Sequence, residues 1–457
     1  MKLVLLSGGS GKRLWPLSND SRSKQFLKVL NNEQGGLESM VQRVWGQITR
    51  AGLREHAYLA TGRGQLDLIH SQIGADAPVV IEPERRDTFP AIALAAVYLY
   101  SVESVKLNET IAILPVDPYV ADSFFQTVSS LDGVLNETGA DLALIGVKPT
   151  YPSEKYGYIV PDVAAEGENA LGALKVSHFA EKPNEQEARR LIGQNALWNC
   201  GVFAFKLSTI INLLIQRGLP IQYEELSKQY HKLPKISFDY EVVEKAEHIV
   251  SVPYHSYWKD LGTWNTLTEE IATPLIGKGM VSADSLNTHL INELDIPVAV
   301  LGLSNIVVSA SPDGILVSCK EASPRVKDVV KEFDQRPMYE ERRWGSYRVL
   351  DYKKFPDGQE VLTKRICIDA GKNLSYQFHT YRSEVWTVIQ GKGEYVLNDR
   401  VGQLEAGDVI RVPVGTKHSI RALTDLEIIE VQSGTPLIEE DIHRFSMKWD
   451  EILQLCK

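Results

Sequence analysis

The chain has 457 residues, 24% charged and 44% hydrophobic, which is long enough for two or three domains, each with its own core. A formal net charge of -10 makes the molecule as a whole repel a nucleic-acid backbone, so any phosphate site has to be local. Four scattered cysteines without a CxxC pair, an N-terminal apolar run of only four residues and no run of membrane-spanning length predict a cytoplasmic protein with no disulfide framework and no membrane insertion.

Lys2–Leu6 opens the chain as an apolar strand. Helix-like and strand-like stretches then alternate through Gly35–Thr49, His56–Leu59, Val79–Ile81, Ala91–Ser104, Ile111–Pro115, Phe124–Leu135 and Leu142–Ile145. This rhythm predicts an α/β domain with a mainly parallel sheet over residues 1–266, with ligand groups on the loops beyond the strand C-termini. The first such loop is Ser7-Gly8-Gly9-Ser10-Gly11, followed by the cations Lys12 and Arg13. It matches neither the Gly-x-x-x-x-Gly-Lys-Ser/Thr loop nor a dinucleotide fingerprint, and its glycines alone suit a strand-to-helix turn as well as a polyanion site.

Four later stretches carry further polar groups: Glu82–Thr88, Pro115–Pro118, Phe179–Pro183 and Trp258–Gly262. Asp117 and Asp260 stand out, because two carboxylates can face a nucleoside triphosphate only with a divalent cation between, which points to Mg²⁺. Either one alone fits a solvated turn or cap. Arg13 offers a planar guanidinium fork, and Lys24 and Lys182 offer mobile charges; each alone also fits a solubilising surface cation.

Residues 267–335 read as a small β-rich connector with short strands at Val298–Leu301, Asn305–Val308 and Ile315–Val317. Over residues 336–457, alternating strands and glycine turns predict a β-barrel or double sheet. There, Gly371-x5-Gln377-x-His379-x4-Glu384-x6-Gly391 precedes Gly407-x5-Pro413-x-Gly415-x2-His418, and these spacings resemble the two motifs of a cupin barrel. Gln377, His379, Glu384 and His418 form a mixed nitrogen and oxygen ligand set suited to Zn²⁺, Fe²⁺, Mn²⁺ or Co²⁺; a packed barrel without metal is the alternative.

Leu6-Ser7-Gly8-Gly9-Ser10-Gly11-Lys12-Arg13-Leu14-Trp15-Pro16-Leu17-Ser18 with Lys24-Gln25-Phe26 resembles the signature of mannose-1-phosphate guanylyltransferases. So do Glu82-Pro83, Pro115-Val116-Asp117, Tyr156–Ile159, Glu181-Lys182-Pro183, Trp198–Gly201, Asp239-Tyr240 and Asp260–Trp264. The resemblance implies a Rossmann-like nucleotidyltransferase domain using GTP and mannose 1-phosphate. Gly8, Gly9, Gly11 and Arg13 would hold the GTP phosphates, Glu82 would belong to the nucleotide side, and Lys24 would compensate charge at the reacting phosphate. Gly157, Glu181, Lys182 and Asn199 would form the sugar-phosphate side, and Asp117 and Asp260 would bind Mg²⁺. Three positions depart from the pattern: Lys12 for Thr, Asp87 for Asn and Pro118 for His.

Gln377–Trp386, with Glu430–Gly434, resembles the type II phosphomannose isomerase domain often fused to this transferase. Arg382 keeps its place for a substrate-phosphate or proton-transfer role, whereas Thr380 and Tyr381 replace a histidine-rich pair. Isomerase activity is therefore left open beside guanylyl transfer. A glucose-1-phosphate nucleotidyltransferase and a nucleotide-sugar sensor without turnover are the competing readings, and a homo-oligomer is compatible with all of them.

Overall fold

The computed structural model describes residues 1–9, 11–162, 171–333, 335–438 and 441–456; Ser10 of the glycine run and Lys457 at the end of the expected third domain lie outside them. The chain divides into two compact units. The first comprises Met1–Arg13, Ser23–Leu66 and Ile73–Ala272, and the second Leu14–Arg22, Asp67–Gln72 and Thr273–Lys457.

The first unit is built on a nine-stranded sheet in the order Val79–Glu82, Ala57–Gly62, Lys2–Leu6, Thr110–Pro115, Leu197–Lys206, Leu142–Val147, Ile249–Tyr254, Leu174–Ala180 and Tyr158–Pro161. Seven strands share one direction, and Leu197–Lys206 and Leu174–Ala180 run against them, so the sheet is mostly parallel and Rossmann-like. Register decides where the site lies. Leu6 pairs with Ala60 and with Pro115, and Gly62 pairs with Glu82, so the glycine loop, Glu82 and Asp117 all leave one edge of the sheet. Helix Thr88–Ser101 is apolar on nearly every face, with Phe89 through Val97 buried, as expected of a helix enclosed by the core.

Two element boundaries differ from the periodicity. Residues 35–38 are not helical: Leu30–Asn31 and Leu37–Glu38 pair as a hairpin, held by the Asn32 side-chain oxygen, which accepts from the amides of Gln34 and Gly36. The helix, Met40–Arg50, starts where Ser39 and Gln42 form a reciprocal capping box. Helix Thr88–Ser101 begins earlier than Ala91 because Asp87, at φ +77°, accepts the Thr88 amide and turns the chain into it.

In the second unit, Leu275–Gly277, His289–Asn292 and Ile306–Ser311 stack in parallel, as do Gly279–Val281 and Val298–Val300, around a core of Leu290, Val300 and Val308. Gly314–Cys319 adds an antiparallel edge. Within this unit Arg22 makes a two-pronged ion pair with Glu293 (2.9 and 2.9 Å), the Asn19 amide donates to Asp313 (2.7 Å), and Trp15 covers Gly314 so closely that a Cβ there would lie 2.5 Å from its ring. The C-terminal part is a cupin barrel of a six-stranded and a five-stranded sheet, filled from both by Leu362, Trp386 and Ile428 on one side and Leu404, Ile420 and Ala422 on the other. Among the described residues no helix is long and apolar enough to cross a membrane.

Candidate functional site

The glycine loop is fixed by side chains from the next segment. The Gln25 amide donates to the Ser7 carbonyl (2.7 Å), the Ser23 hydroxyl donates to the Gly9 carbonyl (3.0 Å), and Gln65 donates to that hydroxyl (2.6 Å). Gly9 sits at φ +145°, a conformation that disfavours any side chain. Gly8, Gly9, Glu82, Arg85, Asp87 and Lys235 line part of a cavity of about 440 Å³. Glu82 is buried and accepts the Tyr230 hydroxyl (2.9 Å); burial pushes its carboxyl above the ordinary range despite that bond.

Asp117 and Asp260 come together through strand pairing. Pro118–Val120 runs antiparallel to Trp258–Asp260 with Pro118 opposite Asp260, which sets the residue before Pro118 beside it. Lys24 Nζ lies 2.7 Å from Asp117 Oδ2 and 3.5 Å from Asp260 Oδ1. Burial opposes the charge on Lys24, yet the two carboxylates hold it above its usual range, with Arg13 near enough to oppose them. Asp117, Asp260, Tyr156, Asn199 and Trp258 face one cavity of about 160 Å³, so Asn199 and the two aspartates share a wall.

Gly157, Glu181, Lys182 and Asn199 also converge. A Cβ on Gly157 would lie 2.6 Å from Glu181 Oε2 and 2.5 Å from Phe179 Cζ, so any side chain there forces Phe179 and Glu181 to shift. Lys182, at φ +46°, is ion-paired with Glu181. The Asn199 amide donates to Asp239 Oδ1 (2.8 Å) and accepts from the Gly201 amide (3.0 Å). Burial and then the charge of Glu181 push the Asp239 carboxyl up to about 7.

In the cupin, His379 and His418 each turn Nδ1 to a backbone carbonyl, of Asp441 and Thr416 respectively, which aims both Nε2 atoms inward. His379 Nε2 lies 3.0 Å from Glu384 Oε1, and buried His418 Nε2 has no hydrogen-bond partner among the described residues. The candidate ligand atoms of His379, Glu384 and His418 all fall within 4.8 Å of one another. Gln377 Nε2 lies 3.4 Å from His379 Nε2, while its Oε1 accepts from Ser375. Turning that amide over directs Oε1 at the histidines and leaves Nε2 to donate to the serine. Burial opposes ionisation of Glu384, but the His379 hydrogen bond and the charge of Arg382 help hold its carboxyl below the usual range. Burial pushes the His418 imidazole below its usual range, which favours the neutral form that binds metal. The donor set therefore fits a divalent transition metal.

Beside it, Gln377, Glu384, Lys364, Arg382, Glu430 and Gln432 contribute to the lining of a cavity of about 100 Å³. Thr380 and Tyr381 are not part of that lining: both are exposed, and their backbone amides are capped by Asp441. Asp441, Tyr230, Lys364 and the role of Asp239 escaped the sequence reading. Only Asp239 left a trace there, as an unassigned member of a motif.

A nucleotidyl transferase family model matches residues 2–275, and a mannose-6-phosphate isomerase C-terminal model matches residues 331–447. The xanthan biosynthesis protein XanB of Xanthomonas campestris is 31% identical over 97% of both chains. The alginate biosynthesis protein AlgA of Pseudomonas aeruginosa is 31% identical over 96% of this chain and 95% of its own, and a mannose-1-phosphate guanylyltransferase of Salmonella montevideo is 29% identical over 98% of both. Among solved structures, one described as mannose-1-phosphate geranyltransferase from Thermus thermophilus is 29% identical, with a TM-score of 0.58, covering 73% of this chain and 99% of that one.

Proposed function

Because the chain belongs to the two-domain mannose-1-phosphate guanylyltransferase family that includes XanB and AlgA, we propose that it joins GTP and mannose 1-phosphate into GDP-mannose and pyrophosphate at the sheet edge described above. The observation that carries this assignment of the site is the convergence of Lys24, Asp117 and Asp260 beside the glycine loop's strand. A phosphate oxygen of the sugar phosphate attacks the α-phosphorus of GTP in line, and pyrophosphate leaves. The nucleophile arrives ionised, so no protein general base is required, and the residues work by alignment and charge compensation.

Backbone amides at Gly8, Gly9 and Gly11 and the fork of Arg13 hold the triphosphate, with Glu82 on the nucleotide side. Lys24 opposes charge at the reacting phosphate, and Lys182 opposes charge on the sugar-phosphate side. Gly157, Glu181 and Asn199 receive the sugar. Asp117 and Asp260 would hold Mg²⁺, which supplies Lewis-acid neutralisation of the phosphate oxygens.

For the cupin we infer mannose-6-phosphate isomerase chemistry, interconverting fructose 6-phosphate and mannose 6-phosphate. It rests on the convergent donors of Gln377, His379, Glu384 and His418 beside a cavity that also carries Lys364 and Arg382. A bound Zn²⁺, Mn²⁺, Co²⁺ or Fe²⁺ would polarise a substrate carbonyl there.

The test is a product-resolved assay offering GTP, ATP, UTP and dTTP with mannose 1-phosphate and glucose 1-phosphate in Mg²⁺, followed by fructose 6-phosphate with each transition metal. GDP-mannose as the dominant product is expected. Its absence from folded, metal-replete protein overturns the first reading and leaves a sensor. A glucose product moves the chain to the other transferase class.

A further inference from the structure

We propose that Asp239 is the positioning residue of the sugar-phosphate side: it fixes the amide of Asn199 so that this side chain meets the pyranose hydroxyls in one orientation. The inference rests on the guanylyl-transfer reading above and deepens it. Asn199 is 8% exposed and is held at three points. Its backbone amide donates to the Gly157 carbonyl (2.8 Å), its Oδ1 accepts from the Gly201 amide (3.0 Å), and its Nδ2 donates to Asp239 Oδ1 (2.8 Å). The last two contacts select the same rotamer of the amide and leave one N–H and one oxygen lone pair for a ligand.

Asp239 is carried on a short helix, Phe238–Glu241, that has little freedom to move. The Ser237 hydroxyl caps it at Tyr240, the Phe238 amide donates to the Thr88 hydroxyl (2.8 Å), and the fully buried Phe238 ring stacks on Phe205 (5.5 Å between centroids).

The surroundings explain why a carboxylate stands here. Glu181 and Asp87 are acidic groups that act on Asp239, and Lys182 is a cation that opposes them. Two acidic neighbours and one cation make ionisation costly, and burial adds to that cost. A purely structural hydrogen bond to Asn199 could be supplied by a neutral acceptor at no such cost. Two adjacent acceptor groups, Asp239 and Glu181, are instead matched by a ligand that brings several hydroxyl donors next to a phosphate, which is the chemistry of a pyranose 1-phosphate. An ionised Asp239 only accepts and holds Asn199 Nδ2 toward itself. A protonated one can donate, which draws Asn199 Oδ1 toward it and takes the acceptor away from Gly201.

The full-length protein and its Asp239→Ala and Asp239→Asn variants decide the matter, with KM and kcat measured for each substrate from pH 5.5 to 8.5 and sugar-phosphate binding followed by calorimetry. Losing a hydrogen bond in a buried site should raise the KM for mannose 1-phosphate roughly 10-fold or more in Asp239→Ala while the KM for GTP stays within about two-fold. Asp239→Asn can still offer an amide oxygen to Asn199, so it should recover most of that affinity. Unchanged sugar-phosphate KM in Asp239→Ala, or a KM in Asp239→Asn raised as far as in Asp239→Ala, overturns the proposal. If the wild-type protein makes no GDP-mannose, the guanylyl-transfer reading is what fails, and calorimetry on mannose 1-phosphate and glucose 1-phosphate still decides the role of Asp239: equal affinity of wild type and both variants overturns it.

Discussion

Gly157→Ala adds one methyl group where the backbone meets Phe179 and Glu181. The new carbon would lie 2.5 Å from Phe179 Cζ, 2.6 Å from Glu181 Oε2 and 3.1 Å from Phe179 Cε2. Carbon contacts are comfortable at about 3.5–4.0 Å, so each neighbour must yield by roughly 1 Å. Phe179 is 8% exposed and belongs to the main apolar core, so it resists, and the strain falls on the Glu181 carboxylate and the ion pair it makes with Lys182. Overpacking of this kind costs about 1–3 kcal/mol of stability, and a 1 Å displacement of a positioning group can cost about 100-fold in rate. Steady-state kinetics with each substrate varied in turn should show kcat/KM for mannose 1-phosphate down by roughly 30- to 100-fold and KM for GTP within about two-fold. Gly193→Ala is the control: it ends a helix, faces open space, and should be tolerated. A folded Gly157→Ala protein with wild-type kinetics toward the sugar phosphate would refute the placement of Glu181 in the sugar site.

Asp117→Asn and Asp260→Asn should each lower turnover about 100-fold or more, read at limiting and saturating Mg²⁺; near-wild-type turnover at limiting Mg²⁺ removes that residue from metal binding. Elemental analysis of the reconstituted chain should find one transition metal that the His379→Ala/His418→Ala double variant lacks, with guanylyl transfer retained. Glu82, whose carboxyl is raised in the folded protein by burial, favours the protonated state; its contribution is full below the unfolded carboxyl pKa and is lost as pH rises through the folded value. Thermal unfolding should therefore show Glu82→Gln gaining on the wild type as pH rises from 4 to 8, and a pH-independent difference would rule out that burial cost.

The parts of the fold and site that were legible in the sequence are those set by local pattern plus strand ends. Gly8, Glu82 and Asp117 follow apolar runs, and the parallel register of those runs gathers whatever follows them at one edge. Residues 35–38 read as helical because Leu37 stands in helical spacing with Met40, Val41 and Val44, while the Asn32 side chain, which holds the turn, leaves no periodic signal. Partners far apart in sequence were out of reach. Tyr230 is 148 positions from Glu82, Asp441 is 62 from His379, and Asp239 is 40 from Asn199. Each pair forms only once the chain has folded, and no spacing rule links its members.

The signature segment has one more implication, for recombination. Its glycine loop and Lys24 belong to the first unit, but Leu14–Arg22 between them belongs to the second, where Asn19 answers Asp313, Arg22 answers Glu293 and Trp15 needs the bare surface of Gly314. A chimera spliced near residue 266 would carry one parent's Trp15, Asn19 and Arg22 against the other parent's counterparts of Glu293, Asp313 and Gly314. Those six positions have to be inherited together, so the natural seam for exchanging parts of this molecule is not a single cut in the chain.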